Sequence, residues 1–182
     1  MTMLNRFPTS GWRYSSTAIW LHWILALLIV GMVALGWTMM AVEDEPGTKW
    51  LFDLHKSVGL IVFALVLVRA CWRAAHRPQA LPASLPAWQL RLAVWTQWAL
   101  YACMMALPVT GCIGALYTKT GIAFFGMPLP RLVTPDHPTA ELFFSTHSVL
   151  VWVLVGFVTL HALAGFKHLL VDRDKVFQRM WF

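Results

Sequence analysis

Residues 18–40 read AIWLHWILALLIVGMVALGWTMM, 23 residues without one charged side chain. As a helix this run rises ~34 Å, enough to cross a hydrocarbon core of ~30 Å. Arg6 and Arg13 upstream give it the basic flank of a secretory signal. The run is too long for one, however, and no small-x-small cleavage site closes a short core, so it reads as a membrane span. Working outward, three more apolar runs follow at about 50–72, 88–117 and 141–170. The acidic stretch Glu43-Asp44-Glu45-Pro46-Gly47 breaks the chain after the first, and Pro78, Pro82 and Pro86 break it after the second. The third contains Pro108, Gly111 and Gly114, which predict a kink or a fraying end. A connection of roughly two dozen residues from Thr118 to Thr139, with four prolines, leads to the last, which is longer than a bilayer needs and should tilt or project. The expectation is an all-α integral membrane four-helix bundle, one membrane domain over 1–182.

Composition agrees with lipid as the solvent: 59% hydrophobic residues, 12% charged and a mean hydropathy of +0.64 do not describe a water-soluble domain. With four spans both termini share one side. That side collects Arg6, Arg13, Arg69, Arg73, Arg77, Arg91, Lys167, Arg173, Lys175 and Arg179, and the positive-inside rule makes it cytoplasmic. The opposite face holds Lys49, Lys56, Lys119 and Arg131 against Glu43, Asp44, Glu45, Asp53, Asp136 and Glu141, and is net negative. The basic isoelectric point thus reports orientation, and nucleic acid is not needed as a partner. Cys71, Cys103 and Cys112 show no CxxC or Cys/His spacing and read as small buried hydrophobes rather than iron–sulfur or zinc ligands.

Five histidines fall in or beside the spans: His22, His55, His147, His161 and His168. Each alone reads equally as a helix-end residue bonded to a carbonyl, but their arrangement says more. His147 and His161 are fourteen apart on one helix, so they face nearly one way (~40° apart) at two depths ~21 Å apart. His22 opens the first span from inside and His55 opens the second from outside. Depth then pairs His22 with His161 and His55 with His147. Two imidazoles from different helices are what a six-coordinate haem requires, whereas zinc or di-iron would need further ligands, mostly carboxylates, that no span supplies at those depths. Gly59 and Gly165, each four residues after a paired histidine, offer space for a flat ring, or equally for plain helix packing. Without CxxCH the haems would be non-covalent, two haem b set between helices. Such a ladder of irons would carry electrons across the membrane between a periplasmic one-electron partner and a quinone. His168, seven residues beyond His161 and ~10 Å nearer the cytoplasm, is the candidate proton donor to that quinone. Lys56, next to His55, is the candidate contact for a haem propionate or an anionic substrate, with Lys49, Lys119 and Arg131 beside it on the outer face; a solvated rim reads as well.

The chain resembles the bacterial cytochrome b561 family over nearly its whole length. The residues that carry the resemblance are Tyr14 to Trp23 with the His22-Trp23 pair, His55-Lys56-Ser57-Val58-Gly59, Ala106-Leu107-Pro108-Val109-Thr110-Gly111, and the His147 to His161 interval with His168 beyond. The resemblance implies a four-helix dihaem protein of the bacterial inner membrane with His22, His55, His147 and His161 as axial ligands and no ligand on the third helix. It also implies one of two activities. Some members act alone as superoxide oxidases, passing an electron from superoxide to ubiquinone. Others are similar to the haem-containing anchors that relay electrons for a separate periplasmic dehydrogenase or redox partner. A haem-free structural or transport protein is the remaining alternative.

Overall fold

The computed structural model describes residues 13–76, 80 and 85–182; Arg6, Arg77, Pro78 and Pro82 of the sequence reading lie outside them. Among the described residues four long helices are apolar enough to span a membrane: α1 Ser16–Ala41, α2 Lys49–Ala75, α3 Ala87–Leu116 and α4 His137–Lys167. The all-α membrane bundle expected from the sequence is the fold.

Local chemistry sets the helix starts. The Ser15 hydroxyl accepts from the Ala18 amide at the head of α1, and the Asp136 carboxylate accepts from the Thr139 amide at 3.0 Å at the head of α4. Those Thr139 bonds hold the Asp136 carboxyl below the usual carboxylate range. Helix α4 therefore starts four residues before the expected 141 and takes Pro138 into its first turn, where a missing N–H costs nothing. Helix α3 runs unbroken through Pro108, with the Thr110 hydroxyl donating to the carbonyls of Ala106 and Leu107. The long connection between α3 and α4 contains a short antiparallel hairpin, β1 Ala123–Phe124 and β2 Met127–Pro128, which the apolar pattern did not announce. It is fastened to α2 by the Phe125 amide, which donates to Ser57 Oγ at 2.8 Å.

Helix α1 packs on α2, α2 on α3 and α3 on α4. Leu25, Val62 and Val66 form one buried cluster, and Cys103, Leu107 and Leu154 form a second that Ile29 joins to α1. Helix α4 meets α1 and α2 through side chains, including Trp152 on Trp37 and two histidine pairs. Few side chains are buried, and Leu27, Trp95 and Val149 are more than three-fifths exposed. Facing hydrocarbon, these surfaces carry no hydrophobic penalty, and packing comes from close fit.

Helix α4 ends in a π-helical turn, His168–Asp172, and a 3-10 turn, Phe177–Met180. The last residues fold back onto α1. Tyr14 N donates to the Arg179 carbonyl at 3.1 Å, Trp23 Nε1 to the Met180 carbonyl at 2.7 Å, and the Trp20 ring lies tilted against that of Phe182 with centres 4.6 Å apart. The described start and end of the chain thus sit at one end of the bundle.

Candidate haem sites

The structure brings His22 of α1 and His161 of α4 together with ring centres 6.1 Å apart, and His55 of α2 and His147 of α4 with centres 6.3 Å apart. Two imidazoles bound to one metal from opposite sides at ~2 Å each have centres about 6 Å apart. Both couples have that spacing, although they come from different helix pairs. The interplanar angles, 78° and 75°, are compatible with axial ligation, which leaves each ring free to turn about its bond to iron.

Around the His55–His147 couple the surroundings of each ring are specific. His147 Nδ1–H donates to the Leu107 carbonyl at 2.9 Å, with the Thr110 hydroxyl 3.3 Å from the same nitrogen. That bond fixes the tautomer and leaves Nε2 bare to ligate a metal. A methyl group placed on Gly111 would lie 3.1 Å from His147 Cε1, and one on Gly36 would lie 3.3 Å from His55 Cε1. His55 Nδ1 is buried without a hydrogen-bond partner, a condition native proteins avoid except where a function asks for it. The donor set, its spacing and the glycine clearance fit a haem held by two imidazoles.

The glycines against the histidine rings are not those singled out in the sequence. Gly59 faces Met32 and Gly165 faces Phe177. Gly36 carried a signal all the same: it stands fourteen residues after His22, on nearly the same face of α1 at the other depth. The Leu107 carbonyl had none, because a backbone acceptor has no letter of its own.

His168 sits in the π-helical turn with Nδ1 2.7 Å from Asp174 Oδ2 and 3.4 Å from Asp172 Oδ2, its side chain only 16% exposed. Asp172 also pairs with Lys167, so this cluster reads as an ion-pair network. Lys56 is ion-paired to Asp53 at 3.1 Å and donates to the Gly121 carbonyl at 3.4 Å. An ammonium has three donors, so one is left for a further acceptor.

The sequence model of the family described as prokaryotic cytochrome b561 matches residues 13–182. Among relatives, cytochrome b561 homolog 2 of Escherichia coli K12 is 28% identical over 96% of this chain and 94% of its own length. Cytochrome b561 homolog 1 of the same organism is 26% identical over 92% and 96%, and the probable superoxide oxidase CybB of Yersinia pestis 25% identical over 92% and 95%. With the bundle and its facing histidines, this match over almost the full chain makes the protein a member of the prokaryotic cytochrome b561 family, membrane cytochromes that carry electrons across the bilayer.

Proposed function

We propose that this chain moves electrons across the bacterial inner membrane between a periplasmic one-electron partner and ubiquinone, using two haems b held by His22 with His161 and by His55 with His147. The observation that carries the reading is the pair of imidazole couples, each spaced for a shared iron, joined by the fourteen-residue step on α4. Haem b, when bound, supplies a reversible one-electron site at each depth. The chain's own work is to hold those sites. Leu107 fixes the His147 tautomer, Gly36 and Gly111 leave its ligand rings room, and the Leu25, Val62 and Val66 cluster excludes water nearby. A pyridine haemochrome assay should return two haems b per chain, and the electron paramagnetic resonance spectrum of the native protein should show both low-spin; one haem per chain would refute the pairing.

Superoxide is the periplasmic donor we favour, since one relative is named a probable superoxide oxidase. Each superoxide gives up one electron and leaves as dioxygen, and two such electrons with two protons convert a quinone to a quinol. Lys56 stands at the outer rim with a donor for a propionate or an anion, and the His168–Asp174 pair stands at the inner end as the proton source. One observation favours the anchor reading instead: Phe125, Met127, Leu129 and Leu132 of the outer connection are exposed apolar side chains that a partner subunit could cover. Purified protein decides between the two. Superoxide-dependent quinone reduction by the chain alone would rule out an obligate anchor.

Two further results are expected. Gly111→Ala puts a methyl within 3.1 Å of the His147 ring, so the ring must shift by a few tenths of an ångström. The outer haem should then gain a high-spin fraction in its electron paramagnetic resonance spectrum while the inner one does not. Terminal reporters should be active only in the cytoplasm, as the distribution of Lys and Arg requires; periplasmic activity would invert the electron path.

A further inference from the structure

Arg69 and Arg73 of α2 lie within the helix that spans the membrane. Among the described residues neither forms an ion pair with a carboxylate. Arg69 Nη1 donates to the Ala18 carbonyl at 3.0 Å and Arg73 Nη2 to Gln97 Oε1 at 2.8 Å. Both guanidiniums line one pocket with Tyr14, Trp72 and Tyr101. The Tyr101 hydroxyl is buried beside Arg69, while the Tyr101 ring lies 5.9 Å from the Arg73 guanidinium. Cations inside a span without a counter-ion are costly and mark sites. Five N–H groups per guanidinium suit a carboxylate or phosphate held in a fork.

Position says which anion. Arg69 stands fourteen residues after His55 on α2, so it shows the inner depth nearly the same helix face that His55 shows the outer. Its guanidinium is bonded to the Ala18 carbonyl, one turn of α1 before His22. A haem between those two rings brings two carboxylates of its own, and Arg69 is the cation the fold sets beside them. We propose that Arg69, aided by Arg73 and Tyr101, binds a propionate of the inner haem and that its fixed charge raises that haem's midpoint potential. The reduced haem carries one more negative charge than the oxidised one, so a nearby cation favours reduction. The inference rests on the inner haem's assignment to His22 and His161.

The test is a redox titration of purified holoprotein, wild type, Arg69→Gln and Arg69→Lys, in detergent and in nanodiscs of zwitterionic or anionic lipid. Arg69→Gln should shift the inner haem's equilibrium toward the oxidised form at least tenfold, about 59 mV for one electron, with the outer haem unmoved and Arg69→Lys close to wild type. The shift should be the same in all three media. An unchanged inner midpoint with both haems present would overturn the proposal, and so would a shift confined to anionic lipid, which would make the anion a phospholipid phosphate. Should Arg69→Gln fail to insert, Tyr101→Phe decides: a smaller fall in the inner midpoint supports the site and no change refutes it. A His22→Ala protein that keeps its inner haem would instead sink the ligand assignment itself.

Discussion

His55→Ala is expected to remove the outer haem, or turn it high-spin, and to leave the inner haem's spectrum intact; His22→Ala should do the reverse. The reason is separation. On α4 the two ligand positions are ~21 Å apart along the axis, and the couples share no residue: His22 with His161 joins α1 to α4, and His55 with His147 joins α2 to α4. Mutations at sites this far apart, with no common partner, act independently. The bundle should also survive each change, because the two buried clusters at Leu25, Val62, Val66 and at Cys103, Leu107, Leu154 do not include the histidines. Size-exclusion chromatography of each variant checks that first. Electron flow from periplasm to quinone should fall at least a hundredfold in both, because sites in series are each necessary. If His55→Ala disturbed the spectral component lost in His161→Ala and spared the one lost in His147→Ala, the pairing by depth would be wrong.

The large features of this fold were legible because they rest on patterns that lipid enforces. Uncharged runs of some twenty residues have few alternatives to a membrane helix, and a fourteen-residue interval maps onto one helix face at two depths whatever surrounds it. What escaped the sequence depends on backbone atoms and on fold-back. Pro108, Gly111 and Gly114 in α3 predict a kink or a fraying end, whereas the helix continues to Leu116 and uses that turn to offer the Leu107 carbonyl to His147. Residues 172–182 carry Asp172, Arg173, Asp174, Lys175 and Arg179, yet Phe177, Trp181 and Phe182 pack beside Phe166, Trp23 and Trp20. Glycine readings by spacing from the histidine on the same helix missed Gly36 and Gly111, because the glycine that matters lies on the neighbouring helix.

Replacing His168 by Gln should leave both haems, their spectra and superoxide-driven haem reduction in place, and cut quinone reduction by about 10²-fold, the lower end for loss of a positioned general acid. His168 is no member of either ring couple, so the haem sites keep their ligands. What the change removes is a mostly buried imidazole whose Nδ1 is 2.7 Å from Asp174 Oδ2, an arrangement in which the carboxylate orients the ring. Glutamine can keep a hydrogen bond to Asp174 but has no proton to deliver near neutral pH. Asp174→Asn should weaken the same step by a smaller factor, since the imidazole stays and only its orienting charge is lost. Stopped-flow traces would then show both haems reduced quickly and reoxidised slowly by added quinone. If His168→Gln reoxidised as fast as wild type, the histidine would be an interfacial helix-end residue tied into the Asp172, Asp174 and Lys167 network, and the quinone's proton would have to come from another group at the inner end.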